Sequence, residues 1–128
     1  FTGQHPQLAQ PVFDVFKISP EHRFAQLPSS FELEHVAASY LQQAGDVIGR
    51  VQPELVIVQG DTTTAFTAAL AAYYHRVPVA HVEAGLRTRN PLSPFPEENH
   101  RRMIATLSTL HFAPSMAARQ ALRDEAID

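Results

Sequence analysis

The feature that most constrains the fold is a pair of short apolar runs, Leu55–Val58 and Val77–Val82, each of which leads into a polar turn. Between them lies the Ala-rich segment Thr63–His75, which has the length of a compact helix. Short β-branched runs on either side of a helix are typical of parallel strands that are buried within a sheet. The sequence therefore predicts a β-turn-α-β unit.

Helical patterns precede this unit. Apolar residues from Leu8 to Phe16 recur at helical spacing after a polar turn, which predicts a short helix, and Pro11 falls in its first turn if the helix starts there. A second apolar stripe predicts a long helix with Ser30 as its N-cap. This helix is expected to end before Pro53, because the residue before a proline disfavours helical geometry.

Further elements follow the unit. A proline-punctuated loop leads to a helix over Glu97–Leu107, a third strand over Leu110–Ala113 and a final helix that has Ser115 as its N-cap and ends near Glu125. The order α-β-α-β-α-β-α predicts an α/β fold, a Rossmann-like parallel sheet sandwich with right-handed crossovers. At 128 residues the chain has the size of one domain.

Composition narrows the possible functions. The net charge is −3 and Lys17 is the single lysine, so no basic stripe exists for nucleic acid. The chain has no cysteine, which excludes disulfides and thiolate metal sites. No apolar run approaches the roughly 20 residues that span a bilayer, and no signal-peptide pattern opens the sequence. We therefore expect a cytoplasmic protein with neither a nucleic-acid nor a membrane partner.

The turn Gly60-Asp61-Thr62 connects the first strand of the unit to the helix that follows. Ligands of parallel sheets bind beyond the carboxyl ends of the strands, which is where this turn lies. One interpretation is that Asp61 only caps the helix. The other is that the turn presents free amides and hydroxyls to an anionic ligand, with Asp61 as an acid or a base.

A second candidate is Glu83, which directly follows the second strand in the motif HVEAGLR. A carboxylate at the ligand end of a buried strand, beside a glycine turn, has a ready structural explanation only if Arg87 neutralises it. A Glu83–Arg87 ion pair is therefore the alternative to a catalytic role.

A third carboxylate, Glu97, begins a predicted helix in the segment PFPEENHRR, where acidic residues also serve as ordinary complements of the helix dipole. With Asp61 and Glu83 it falls at one predicted edge of the sheet. Three carboxylates in one crevice push their pKa values apart, which separates acid from base roles. The spacing Glu97-x-x-His100 is that of half a di-iron site, but the sequence has no second such motif, so we expect no metal.

Four motifs resemble the non-hydrolysing UDP-N-acetylglucosamine 2-epimerases in their order and spacing. They are TGQH at the start, then QGDTTTAFTAALAAYYHRVPVAHVEAGLRT, SPFPEE and HFAPS. The hydrolysing relatives typically carry a different sequence after the strand-end His-x-Glu, so HVEAGLR favours the non-hydrolysing branch. The resemblance covers nearly the whole chain.

The resemblance implies part of a two-domain fold of the glycosyltransferase-B type. Residues 1–128 are then a partial N-terminal Rossmann-like domain, with the first strand and a GTRPE-like phosphate loop before Phe1 and the second domain after Asp128. The implied activity interconverts UDP-GlcNAc and UDP-ManNAc without a cofactor. The complete enzyme is expected to be a homodimer that serves cell-envelope polysaccharide synthesis, and the isolated segment is expected to be inactive.

The resemblance also implies roles for individual residues. The family's catalytic carboxylates fall on Asp61, Glu83 and Glu97. Substrate contacts fall on Gln4, His5, Gly60, Thr62, Arg87 and Arg101. A regulatory contact with a second substrate molecule falls on the opening turn, at Gln4, His5 and Gln7, with Ser30 where some bacterial members have an arginine.

This chain departs from the family's pattern at two positions. The family usually has Asn where this chain has His100, and it usually has an Asp near the position of Ala105. Two other functions stay open at this point. One is a non-catalytic nucleotide-sugar-binding module of epimerase ancestry, and the other is a related glycosyltransferase.

Overall fold

The computed structural model describes residues 1–3, 6–25 and 32–127. Its helices are α1 (Pro6–Phe16), α2 (Leu33–Val51), α3 (Thr63–Tyr74), α4 (Glu97–Leu107) and α5 (Met116–Asp124). Its strands are β1 (Val56–Gln59), β2 (Val79–Val82) and β3 (Leu110–Phe112). The predicted order of elements is confirmed, and the bounds from β1 onwards agree with the prediction to within a residue or two.

The first two helices begin at residues other than those considered from the sequence pattern. α1 begins at Pro6, so Pro11 lies inside this helix and not in its first turn. Pro6 takes the first helical position, where a missing N–H costs nothing. α2 begins at Leu33 with Glu32 at its N-cap position, and the Glu32 side chain makes no capping bond. The expected cap, Ser30, lies outside the described residues.

The three strands form a parallel sheet in the order β1-β2-β3. His81 of the central strand β2 is in register with Val58 of β1 on one side and with His111 of β3 on the other. Parallel strands place all their carboxyl ends at one edge of the sheet, and the turns that carry Asp61 and Glu83 both leave from that edge. The predicted α/β fold with a parallel sheet is confirmed.

The main core lies between the sheet and helices α2, α3 and α4. Ala69 and Ala72 of α3 are fully buried, and Ile104 of α4 is buried beside them. Because alanine adds little bulk, α3 can approach both α2 and the sheet closely, which explains why this helix is apolar on more than one face. This packing fixes the start of α3 at the carboxyl edge of β1.

The face of the sheet that points away from α2, α3 and α4 is more exposed than the core face. Side chains alternate between the two faces along a strand, so Ile57 and Leu110 point away from the face that carries Val58 and His81. Ile57 is 67% exposed and Leu110 is 48% exposed. Within the described ranges, β1 and β3 are the edge strands, and no helix is long and apolar enough to cross a membrane.

The turn after β2 depends on a glycine at position 85. Gly85 has φ +87°, and a Cβ added there would lie 2.2 Å from the carbonyl oxygen of Ala118 in α5. We expect Gly85→Ala to lower the free energy of unfolding by roughly 2–5 kcal/mol, since it combines a left-handed backbone with overpacking. Urea unfolding of the complete protein measures the change.

Gly60→Ala is the matched control for this prediction. Gly60 also has a positive φ, +72°, but among the described residues a Cβ there would meet only the Glu83 carboxylate, at 3.5 Å. We expect this variant to lose about 1–2 kcal/mol from backbone strain alone. Equal losses in the two variants would contradict the close contact between Gly85 and α5.

Candidate functional site

The candidate site lies at the carboxyl edge of the sheet, where the turns after β1 and β2 face each other. The Gly60 N–H donates to the carbonyl of Val82 at 3.0 Å, and the Glu83 N–H donates to the carbonyl of Phe112 at 3.0 Å. Each turn is therefore attached to the end of the next strand. Backbone bonds of this kind hold Asp61 and Glu83 on a rigid base.

Asp61 does not cap α3. The cap is Thr62, whose hydroxyl accepts from the N–H of Ala65 at 3.2 Å, so the capping interpretation of Asp61 is wrong by one position. The Asp61 carboxylate instead accepts a hydrogen bond from the guanidinium of Arg101. The Thr62 hydroxyl acts as an acceptor in the cap, and its hydrogen has no acceptor within the described part of the chain, so it is available to a ligand.

Gly60 offers no free amide to a ligand. Its N–H donates to Val82, and its carbonyl accepts from Nε2 of His81 at 2.8 Å. The expectation of free amides is therefore wrong for Gly60. Its lack of a side chain leaves room for the Glu83 carboxylate beside it.

Glu83 has a backbone conformation that favours glycine, with φ +70°. Such a conformation costs about 1–3 kcal/mol and is common at functional sites. Its side chain is half-buried, and Oε2 lies 3.5 Å from the position where a Gly60 Cβ would be. Among the residues that the structure describes, the Glu83 carboxylate has no hydrogen-bond or ion-pair partner.

The alternative in which Arg87 neutralises Glu83 is wrong. Arg87 donates from Nε and Nη2 to the two carboxylate oxygens of Glu125, at 2.9 and 2.7 Å, and from Nη1 to the carbonyl of Leu86 at 2.9 Å. This bidentate pair joins the turn after β2 to the end of α5. The hydrogen bond from Arg87 lowers the pKa of Glu125. The structure thus directs Arg87 away from the three carboxylates.

Arg101 lies at the centre of the site and is 7% exposed. Besides the Asp61 carboxylate, it donates from Nη1 to Glu98 at 3.2 Å and to the carbonyl of Leu86 at 3.3 Å. Its Nε is buried without a partner among the described residues. Because a buried guanidinium needs several acceptors, this arrangement leaves Arg101 little freedom and fixes the Asp61 carboxylate.

Glu98 is a residue that the sequence reasoning did not single out. It is fully buried and accepts from the backbone N–H groups of Thr88 and Arg89, at 3.0 and 3.3 Å, and from Arg101 and Arg102, each at 3.2 Å. Burial alone would raise the pKa of Glu98, but the hydrogen bonds from Thr88, Arg89 and Arg102 outweigh it and the pKa is lowered. The sequence alone does not distinguish the neighbouring Glu97 and Glu98, because only the packing of α4 buries Glu98 fully and leaves Glu97 half-buried.

His100 and Glu97 occupy the start of α4. The His100 ring stacks on Phe66, with 4.9 Å between ring centroids, and its Nδ1 donates to the carbonyl of Asp61 at 3.1 Å. Burial lowers the pKa of His100, although that bond and the charges of Glu97 and Asp61 act in the opposite direction. Glu97 is the first residue of α4, and the first turns of this helix reach Asp61 through His100 and Arg101, so α4 begins at the same edge as the other two carboxylates.

His81 is also part of the site, although the sequence reasoning gave it no role. It is fully buried in β2, and its Nε2–H bonds the Gly60 carbonyl, while Nδ1 has no partner among the described residues. Burial lowers the pKa of His81. A histidine within an otherwise apolar strand, two residues before Glu83, was the available signal.

The predicted contacts in the opening turn of the chain lie mostly outside the described residues. Gln4 and His5 lie outside the described residues, and Gln7 is exposed on α1. The hydroxyls of Thr2 and Thr64 lie 3.0 Å apart, which places the start of the chain beside the first turn of α3. Residues 1–3, 6–25 and 32–127 contain no group of three or more His, Cys, Asp or Glu side chains that could hold a metal ion.

Comparison with known proteins places this geometry in a family. A family model described as UDP-N-acetylglucosamine 2-epimerase matches residues 1–128. A Thermotoga maritima protein provisionally named as this epimerase is 48% identical over 124 residues, and the Bacillus subtilis UDP-N-acetylglucosamine 2-epimerase is 41% identical over 124 residues. Each alignment covers 97% of this chain and 33% of the relative.

A solved structure agrees with the sequence matches. The crystal structure of UDP-GlcNAc 2-epimerase from Neisseria meningitidis bound to UDP-GlcNAc superposes with a TM-score of 0.92 at 38% identity. The superposition covers 98% of this chain and 34% of the Neisseria chain, so this chain spans about a third of the length of its relatives. With a family match over all 128 residues and the same fold, the chain belongs to the UDP-N-acetylglucosamine 2-epimerase family.

Proposed function

We propose that the complete protein carrying this segment is an isomerase that interconverts UDP-GlcNAc and UDP-ManNAc. The observation that carries the proposal is the group of three carboxylates, Asp61, Glu83 and Glu97, at one edge of a parallel sheet. Glu83 in particular combines a strained backbone with a carboxylate that is not neutralised by Arg87. The Neisseria relative with bound UDP-GlcNAc supports the class of substrate.

The reaction needs proton transfer on both faces of the sugar. A base takes the proton from C2, the electron pair forms the C1–C2 double bond, and UDP leaves from C1 to give 2-acetamidoglucal. UDP then adds back to C1 while an acid delivers a proton to C2 from the opposite face. Because a single fixed group cannot serve both faces, the reaction needs at least two acid/base groups, and we infer that two of the three carboxylates supply them.

The other polar residues of the site support these groups. Arg101 holds the Asp61 carboxylate, and Glu98 holds Arg101 from the side of α4. The Thr62 hydroxyl can donate to an anionic part of the substrate. Arg87 stabilises the turn that carries Glu83, and a direct contact with substrate would require it to leave Glu125.

The proposal includes the setting of the complete enzyme. On the family resemblance, we infer a homodimer that works in the cytoplasm without a metal or redox cofactor and supplies cell-envelope polysaccharide synthesis. The 128 residues carry the carboxylates, and we infer that the uridine contacts come from a second domain. The isolated segment is therefore expected to have no measurable turnover.

Glu83→Gln in the complete enzyme tests the central role of this carboxylate. We expect turnover to fall about 10²–10⁴-fold, because an amide cannot transfer the proton, while KM changes little. Glu54→Gln is the matched control, since Glu54 is exposed at the opposite end of β1. Near-normal turnover of Glu83→Gln would reduce Glu83 to a structural residue. Binding of UDP-GlcNAc without any epimerisation by the unsubstituted protein would favour a non-catalytic binding module.

Solvent exchange at C2 tests the mechanism independently of the mutation. When the reaction runs in D₂O, we expect deuterium at C2 of both UDP-GlcNAc and UDP-ManNAc, because the C2 proton is lost to the enzyme and replaced from solvent. Proton NMR of the recovered sugars measures the exchange. Epimerisation without deuterium at C2 would contradict the elimination pathway.

The opening turn generates a prediction about regulation. If Gln4, His5 and Gln7 bind a second substrate molecule, the rate of the complete enzyme rises sigmoidally with UDP-GlcNAc concentration, and Gln7→Ala makes the curve closer to hyperbolic. Gln10→Ala is the control, because Gln10 is exposed on the same helix and bonds Asp14 instead. A hyperbolic curve for the unsubstituted enzyme would contradict this regulatory contact.

A further inference from the structure

The Gly60 residue is held at both ends by the neighbouring strand β2. Its N–H donates to the Val82 carbonyl at 3.0 Å, and its carbonyl accepts from Nε2 of His81 at 2.8 Å. We propose that His81 is a positioning residue for the proposed epimerase reaction, which fixes the turn of Asp61 against the strand that carries Glu83. This inference rests on the proposed function for its effect on turnover.

The geometry of the peptide unit explains how His81 acts on Asp61. The Gly60 carbonyl belongs to the peptide bond that leads to Asp61, and the six atoms of a peptide unit lie in one plane. A hydrogen bond on that oxygen therefore fixes the plane that ends at the Asp61 Cα. Helix α4 bonds Asp61 twice, from Arg101 to the carboxylate and from His100 to the carbonyl. His81 instead bonds the preceding carbonyl, that of Gly60, from β2.

The position of His81 in β2 links two of the three carboxylates. Glu83 follows His81 by two residues in the same rigid segment, and its carboxylate lies beside Gly60. A bond from His81 to Gly60 thus connects the support of Glu83 directly to the support of Asp61. Loss of this bond leaves the bond from the Gly60 N–H to Val82 as the hold of β2 on Gly60, so the Gly60 carbonyl and the peptide plane that leads to Asp61 can shift without removal of either carboxylate.

The surroundings of His81 keep it as a neutral donor. The His111 ring is in register on β3, and Arg87 and Arg101 are the charged neighbours that act on it from the turn after β2 and from α4. Nδ1 of His81 has no acceptor among the described residues, so a second proton would be unpaired and next to positive charge. Burial is the main reason that the pKa of His81 is lowered. The single ring proton is thereby committed to Nε2 and to Gly60.

His111 supplies a matched control within the same sheet. It lies next to His81 on the same face, and its Nδ1 is likewise buried without a partner among the described residues. Among the described residues, His111 makes no hydrogen bond to Gly60 or Asp61, whereas His81 does bond Gly60. The two histidines therefore differ in whether they hold Gly60.

The test compares substitutions of the two histidines in the complete enzyme. We expect His81→Leu to lower kcat by about 10²-fold, since a misplacement of about 1 Å at reacting groups has an effect of this size. KM should change by less than about threefold, because the uridine contacts are inferred to come from the second domain. His111→Leu should keep kcat within about threefold of the unsubstituted enzyme.

Two polar variants separate positioning from packing. A glutamine amide at position 81 reaches about as far as Nε2, whereas an asparagine amide reaches only as far as Nδ1. We expect His81→Gln to recover at least about tenfold in kcat over His81→Asn, at similar thermal stability. Where His81→Leu does not fold, this pair carries the same comparison. Failure of His81→Gln to exceed His81→Asn, or equal losses in His81→Leu and His111→Leu, would overturn the proposal.

Amide exchange distinguishes this inference from the proposed activity. Hydrogen exchange measured by mass spectrometry over residues 59–65 should be faster in His81→Asn than in His81→Gln and His111→Leu, whether or not the protein epimerises UDP-GlcNAc. Unchanged exchange in this segment would overturn the role of His81 even in an active enzyme. An unsubstituted enzyme that protects this segment but does not epimerise would overturn only the proposed reaction.

Discussion

The buried carboxylate of Glu98 is the interaction on which the rest of the site depends. A fully buried charge is costly unless every oxygen is paired, and here two backbone amides and two arginines satisfy it. Removing one partner of such a group typically costs about 3–5 kcal/mol. Its bonds join the loop after β2 to α4, so the two elements that carry Glu83 and Glu97 cannot move independently.

Arg101 extends this network to the third element of the site. One guanidinium bonds the Glu98 carboxylate, the Asp61 carboxylate and the Leu86 carbonyl. The turn after β1, the loop after β2 and the first turns of α4 therefore share a single cation. A chain of buried charges explains how three carboxylates from separate parts of the sequence keep a fixed arrangement at the edge of a small sheet.

The backbone contributes a second kind of order. Gly60, Glu83 and Gly85 all have positive φ angles and lie at the ends of neighbouring strands. At Gly60 and Gly85 the missing Cβ permits close approach of the Glu83 carboxylate and of α5. Glu83 adopts the same kind of conformation with a side chain, and this strain is sustained by the bond from its N–H to Phe112. Glu83 is thus a strained residue at the place of the proposed chemistry.

Some features followed from the sequence because they depend on local physics. The apolar runs before Gly60 and Glu83 and the Ala-rich helix predict a parallel sheet, and its carboxyl edge predicts where polar turns meet. Ser115 was found as the cap of α5 for the same reason, since its hydroxyl accepts from an amide three residues away. The family motifs, which are also local strings, led to the same family as the whole-chain match.

Other features were decided only by the tertiary structure. The sequence alone did not show that Glu98 is buried and Glu97 is not, because this depends on which face of α4 packs inward. Nor did it show that Arg87 pairs with Glu125 and not with Glu83, because Arg87 and Glu125 are 38 residues apart in the chain. The sequence by itself determined the order of elements, the family and the edge at which the carboxylates lie. The pairing of charges and the hold of His81 on Gly60 depend on which groups meet in the folded interior, where an unpaired polar group is costly.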